Sequence, residues 1–229
     1  MPAALILGAS RGIGLEFARQ YRAEGWRVVA TTRSDDGQRA LEALGAEVHR
    51  LDLTDPTAVA ALGWKIDGEA FDVALYCAGV MGMRTHGIQP VHQDNFDTVM
   101  RTNVLGAMMA LPIILPAVEA SLQARDGKGG ALAVLTSRMA SLTEMESNSN
   151  WLYRASKAAL NVVVKATALE AQQATVVALH PGWVRTDMGG PLADISPKRS
   201  VTEMRIVLAE ISRAHNGAFL NHDGNAIPW

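Results

Sequence analysis

The chain is short of several things, and each shortage removes a class of protein. It has one cysteine, Cys77, in 229 residues, so no intrachain disulfide framework can hold it together. A lone cysteine suits a reducing compartment, and a cytoplasmic location is the expectation. Aromatic residues make up 5% and charged residues 19%, with a formal net charge of −2 and no basic run. That balance offers no electrostatic footprint for nucleic acid, and no nucleic-acid partner is expected. Long apolar runs are scarce as well. No segment reads as the roughly 20 apolar residues that a membrane helix needs, so no membrane partner is expected. The start, Ala3 to Leu7, reads as a strand instead of a basic leader with a signal-length apolar core. No metal is expected.

What the chain does have is material for a core. Hydrophobic residues reach 48%, which suits a packed domain and not a disordered one, and residues 1–229 read as one domain. Short apolar strands alternate with helical runs. Strands are expected at 3–7, 26–32, 47–51, 71–77, 131–137, 175–180 and 218–221. Helices are expected at 12–24, ended by Gly25, and after the Asp55-Pro56 start signal. Further helices are expected over 97–125, bent or interrupted at Pro112 and Pro116, then over 152–172 and 201–213. The 138–151 stretch reads as a polar loop. Residues 183–199 lack periodicity and read as a mobile loop. This alternation is the mark of an α/β fold with a doubly wound parallel sheet of about seven strands and helices on both faces.

Two stretches carry chemistry. Gly8-Ala9-Ser10-Arg11-Gly12-Ile13-Gly14 follows the first strand. Its glycines allow a tight turn and close backbone approach to a pyrophosphate, and a helix N-terminus then offers free N–H groups. Tyr153-Arg154-Ala155-Ser156-Lys157 opens a helical run, so Tyr153 and Lys157 share one face. An ammonium beside a phenol lowers the phenol's pKa and makes a tunable acid. The glycine stretch also spells Gly-x-Ser-x-Gly, the nucleophile elbow of α/β-hydrolases, with Ser10 as nucleophile. Only seven residues precede it, and none of the six histidines is selected as a partner, so a serine hydrolase is the remote alternative.

Together with Asp52-Leu53, Cys77-Ala78-Gly79, Asn103, Thr136-Ser137 and Pro181-Gly182, these stretches resemble the short-chain dehydrogenase/reductase family along almost the whole chain. The closing Asp223-Gly224 and Pro228-Trp229 look like its C-factor-like and carbonyl-reductase-like branch. The resemblance implies a Rossmann fold and an NADP(H)-dependent oxidoreductase that moves hydride between nicotinamide and a small carbonyl or alcohol. It implies Tyr153 as acid/base, Ser137 (with Ser141 as the other candidate) holding the substrate oxygen, Lys157 on the ribose and lowering the Tyr153 pKa, and Asn103 holding a water. It places the cofactor against Gly8, Ser10, Arg11, Gly12, Ile13, Gly14, Arg33, Asp52, Leu53, Cys77, Ala78, Gly79, Pro181, Gly182, Val184 and Thr186. An acid after the second strand favours NAD and an arginine favours the 2′-phosphate of NADP. Thr31-Thr32-Arg33 with Arg11 points to NADP(H), although Asp35 and Asp36 lie close by.

Two positions depart from the family pattern. Leu7 stands where Thr is usual and Cys77 where Asn is usual, so both read as core. Met139, Trp151, Trp183, Met188 and Leu192 are candidate substrate walls. The resemblance implies a homodimer packed through helices 104–125 and 152–172, though the family also has monomers. Some members of the branch are discussed as signalling proteins, so an NADP-binding signalling protein of C-factor type is the alternative function.

Overall fold

The computed structural model describes residues 1–121 and 124–229. Part of the helix expected over 97–125, at Leu122 and Gln123, lies outside the described residues. Among those described, seven strands form one sheet: β1 (Ala3–Leu7), β2 (Arg27–Thr32), β3 (Glu47–Arg50), β4 (Val73–Tyr76), β5 (Ala131–Leu135), β6 (Thr175–His180) and β7 (Phe219–Asn221). Their order is β3-β2-β1-β4-β5-β6-β7, and every pairing is parallel. Parallel strands need long crossovers that put helices on both faces, so inner strands are apolar on both sides. β1 (AALIL) and β5 (ALAVL) are buried at every residue.

Among the described residues the longer helices are α1 (Gly12–Ala23), α2 (Asp35–Ala43), α3 (Pro56–Lys65), α4 (Gln93–Met100), α5 (Gly106–Glu119), α6 (Trp151–Glu170) and α7 (Pro197–Glu210). Leu5, Leu7 and Tyr76 face α3, α5 and α6 through Leu62, Leu111 and Leu160. Ile6, Leu75 and Leu179 face α1, α2 and α7 through Phe17, Leu41 and Met204. The chain therefore winds one way from β1 to β3 and the other way from β4 to β7. Strand order reverses between β1 and β4, and an open crevice is left at their carboxyl ends.

Several local expectations hold for physical reasons. Asp55 caps α3, accepting from Thr57 N at 2.9 Å, with Pro56 at the first turn. Gly25 follows α1 with φ +79°. Others are corrected. Neither Pro112 nor Pro116 interrupts its helix. Both are exposed on a stripe with Met108, so the carbonyls they leave unpaired face solvent. The irregularity lies upstream, where a π turn over Arg101–Leu105 joins α4 to α5. The resulting stretch, Gln93–Glu119, is 27 residues and apolar enough to cross a bilayer by length and composition, although half of its most apolar window is buried in the fold. No such helix was expected, because no segment read as the roughly 20 apolar residues that a membrane helix needs.

The 183–199 stretch is tied down instead of free. Val184 bridges Ile195, Arg185 N donates to Ile195 O at 2.9 Å, and Trp183 Nε1 donates to Gly189 O at 2.9 Å. The following helix starts at Pro197 and not at 201, capped by Ser196, which accepts from Arg199 N at 3.2 Å. It ends at Glu210. The Ser-Pro start signal lay inside the stretch that read as a loop.

The crevice depends on how tightly α1 returns to the sheet. A Cβ on Gly14 would lie 2.5 Å from Gly8 O and 2.9 Å from Ala9 Cα, both backbone atoms that cannot swing aside. Overpacking of this kind costs about 1–3 kcal/mol. Gly14→Ala is expected to lower the unfolding free energy measured by urea denaturation by that amount and to weaken cofactor binding. A variant with wild-type stability would show that α1 can shift freely.

Candidate active site

The crevice at the β1/β4 reversal is a cleft of about 440 Å³. Gly8, Ser10, Arg11, Gly12, Ile13 and Gly14 form one wall, and Arg33, Asp52 and Leu53 form the end beside β2 and β3. Cys77, Ala78 and Gly79 line the middle, and Tyr153, Lys157, Pro181 and Thr186 the far side. Helix α1 opens into it without a side-chain cap at Arg11, whereas Ser34, Asp55 and Ser196 cap α2, α3 and α7. An uncapped helix start keeps its first amides free, and with its positive dipole end it suits a phosphate group. The glycine loop thus fits a dinucleotide. Thr31, a residue that sequence reasoning passed over, holds this loop: its Oγ1 accepts from Gly8 N at 3.1 Å and its carbonyl from Ala9 N at 2.9 Å. Only its place at the end of β2 signalled it.

At the β2 and β3 end, Arg11 pairs with Asp187 at 3.1 Å, and Arg33 lies 3.9 Å from Asp52. Both arginine side chains are mostly exposed. Asp52 Oδ1 accepts from Thr54 N at 2.9 Å and Thr54 Oγ1 at 2.8 Å. Burial pushes the Asp52 carboxyl up, but the Thr54 bonds and the Arg33 charge outweigh it and hold the group below its usual range.

At the other end, Tyr153 and Lys157 are buried on the inner face of α6. Lys157 Nζ donates to Leu135 O at 3.0 Å and stands 5.9 Å from the centre of the Tyr153 ring. Burial pulls the ammonium down to about 8. Burial also pushes the Tyr153 phenol up to about 12, opposed by a hydrogen bond with Ser137. The net shift of the phenol is opposite to the one expected, because burial outweighs every influence that lowers it. The ammonium is aimed at the strand carbonyl, and desolvation dominates both groups.

Ser137 and Ser141 are separated by their partners. Ser137 Oγ accepts from Met139 N at 3.2 Å and stays beside the phenol. Ser141 Oγ donates to Trp229 O at 3.1 Å and accepts from Glu144 N at 3.1 Å, so its hydroxyl is committed to loop structure. Asn103 is fully buried in the π turn. Its Oδ1 accepts from Val80 N at 2.8 Å, and its Nδ2 donates to Val80 O and Ser156 Oγ, both at 2.9 Å. It therefore clamps the loop after β4 to α6 and does not itself line the cleft.

The profile of the short chain dehydrogenase family matches residues 2–195. The chain belongs to the short-chain dehydrogenase family. Among curated proteins it is 35% identical to C-signal of Myxococcus xanthus over 160 residues, covering 69% of this chain and 92% of that protein. Among solved structures it is 33% identical, with a TM-score of 0.87, to a Burkholderia multivorans protein described as a short-chain dehydrogenase/reductase with bound NADP, covering 100% and 99% of the two chains. It is 25% identical, with a TM-score of 0.90 and full coverage of both chains, to the carbonyl reductase Sniffer of D. melanogaster.

In this short-chain dehydrogenase several expected site residues stand one layer back. Ser137, Gly182 and Val184 do not line the cleft, although Thr136, Pro181 and Thr186 do. Val184 is buried against Ile195. Cys77 is half-buried, packed against the core on one side and lining the cleft on the other. Burial pushes its thiol up to about 12, which leaves it no thiolate near neutral pH. No histidine lines the cleft among the described residues, so Ser10 has no base and the hydrolase alternative falls. Of the apolar wall candidates only Met188 reaches the cleft, while Trp183 and Leu192 are exposed.

Burying Lys157 costs stability at neutral pH. Its folded pKa lies below that of the unfolded chain, so the unfolded state holds the extra proton between about pH 8 and 10.5. This group's contribution to stability therefore rises with pH across that window. Lys157→Met removes the buried charge and one hydrogen bond, for a net gain of roughly 2 kcal/mol at pH 7. Calorimetry should show a melting temperature raised by about 4–8 °C at pH 7, with the gap closing towards pH 10. A variant that melts below wild type at pH 7 would contradict this account.

Proposed function

We propose that this oxidoreductase is an NADP(H)-dependent carbonyl reductase or alcohol dehydrogenase with Tyr153 as its acid/base. The observation that carries the reading is convergence. One cleft joins an uncapped helix start and two exposed arginines to the buried Tyr153 and Lys157 at its other end, with Ser137 hydrogen-bonded to the phenol just behind the lining. A bound nicotinamide would supply or accept the hydride. The residues that would hold it are Gly8 to Gly14, Arg33, Asp52, Leu53, Cys77 to Gly79, Lys157, Pro181 and Thr186. The Ser137 hydroxyl, oriented by the Met139 amide, holds the substrate oxygen. Tyr153 Oη gives its proton to that oxygen in reduction and takes it back in oxidation. A phenol near 12 is fully protonated at pH 7, which suits the acid role, and the Lys157 charge favours the phenolate once the proton has left. The preference for NADP rests on Arg11 and Arg33 and on the NADP-bound relative from Burkholderia multivorans.

Turnover measured by NADPH oxidation against a panel of aldehydes, ketones and quinones tests the reaction. Tyr153→Phe is expected to lower kcat by at least about 10²-fold while NADPH affinity stays within a few-fold. Wild-type turnover in that variant would remove Tyr153 from the chemistry. A protein that binds NADPH and reduces nothing in the panel would favour a signalling role.

Cofactor choice follows from exchange of partners. Exposed ion pairs such as Arg11–Asp187 contribute about 0–1 kcal/mol, whereas charge-assisted bonds to a 2′-phosphate contribute roughly 1.5–3 kcal/mol each. Both arginines should therefore leave their carboxylates for the phosphate. NADPH is expected to bind about 10²-fold more tightly than NADH, and Arg33→Asp to remove most of that preference. Equal dissociation constants in the unmutated protein would overturn it.

The homodimer is kept as part of the proposal. Leu105 and Met108 near the start of α5 and Val162 and Leu169 on α6 are exposed apolar side chains on the two helices expected to meet a second copy. Light scattering at micromolar concentration should give twice 24.5 kDa. A monomer mass would remove the dimer.

A further inference from the structure

The strands β6 and β7 pair side by side, with His180 opposite Asn221. Their next residues therefore emerge together at the carboxyl edge of the sheet: Pro181-Gly182 after β6 and His222 after β7. Pro181 lines the cleft. The turn it belongs to is gripped from behind by three side chains, none of which reaches the cleft.

The first grip is Ser200. A serine inside a helix ordinarily bonds back to a carbonyl one turn earlier. Ser200 is fully buried in α7, and its hydroxyl leaves the helix to donate to Pro181 O at 2.5 Å. The second is His222. A Cβ on Gly182, whose φ is +83°, would lie 2.8 Å from His222 Cδ2 and 2.7 Å from Ile195 Cδ1. The turn backbone thus rests directly on the imidazole edge, and only glycine permits both the approach and the left-handed conformation. The third is Glu203, which fixes the ring: His222 Nδ1 and Glu203 Oε2 are 2.6 Å apart. Glu203 is itself held by Arg199 Nε at 2.8 Å. The Arg199 bond first and the His222 bond after it keep the Glu203 carboxyl below its usual range, so the acceptor stays charged.

We propose that Ser200, Glu203 and His222 are positioning residues that hold the Pro181–Gly182 turn against the nicotinamide end of the cofactor cleft. The inference rests on the proposed nicotinamide chemistry but not on which carbonyl is reduced. Binding affinity for a dinucleotide comes largely from its phosphates and adenosine, which lie towards the glycine loop and Arg33. Loosening the turn should therefore leave affinity in place and disturb the reacting ring, and small misplacements of a reacting group are costly.

The test uses the full chain and NADPH as probe, with two readouts. One is the fluorescence of bound NADPH, whose enhancement and blue shift report the surroundings of the reduced nicotinamide. The other is kcat against the best substrate of the carbonyl panel. His222→Ala, Glu203→Ala and Ser200→Ala are expected to bind NADPH within about threefold of wild type, to lose at least about half of the emission change, and to lower kcat about tenfold. Glu203→Gln keeps an acceptor oxygen for His222 and is expected to restore both readouts. Wild-type emission in His222→Ala overturns the proposal, and so does a loss of emission change matched by an equal loss of NADPH affinity, since the whole cleft would then have moved. Should the wild type bind NADPH and reduce no carbonyl, the catalytic reading fails, while the emission comparison still decides this one.

Discussion

Burial of the parallel sheet on both faces is the constraint from which the rest of this structure follows. With α3, α5 and α6 on one side and α1, α2 and α7 on the other, the inner strands have no surface on which to carry polar chemistry. Polar side chains are pushed to the strand ends, where Thr31 lies near the end of β2 and Asp52 and Ser137 follow β3 and β5 at the carboxyl edge. The reversal of strand order between β1 and β4 then opens that edge into a cleft. The site is therefore less an addition to the fold than the place where its covering is interrupted.

The same burial sets the electrostatics of the site. Lys157 is 4% exposed and Tyr153 is 7% exposed, so desolvation governs both groups more than their mutual attraction does. An ammonium near 8 and a phenol near 12 are poised as a charged neighbour and a protonated acid at neutral pH. The cost of keeping the lysine there is carried by the packing around it.

Support for the cleft comes from side chains whose hydrogen bonds go to its own loops. Asn103 ties the loop after β4 to α6, Thr31 ties the glycine loop to β2, and Ser200 ties the Pro181 turn to α7. Each satisfies a backbone group that a loop at the sheet edge would otherwise leave unpaired. The π turn over Arg101–Leu105 belongs to this set, because it lies where Asn103 must point inward, and such turns gather at functional sites.

The α/β order, the number of strands and the glycine loop were legible in the sequence, because each is written in local terms: apolar runs, turn residues and the glycine spacing of 8, 12 and 14. The family was legible for the same reason, since Tyr153 and Lys157 lie one helical turn apart whatever surrounds them. Local signals failed where the deciding partner is distant in the chain. Pro112 and Pro116 read as bends or interruptions, yet the helix runs through both on its solvent-facing side. The 183–199 stretch read as free, yet Ile195 closes it on Trp183 and Arg185. Whether Ser137 or Ser141 stands by the phenol depended on Trp229, which takes the Ser141 hydroxyl. The ordering of the Tyr153 and Lys157 pKa values depended on desolvation, which a spacing of four residues does not record. Periodicity and turn chemistry are properties of neighbours along the chain, whereas burial and partner choice exist only after the sheet has brought remote segments together.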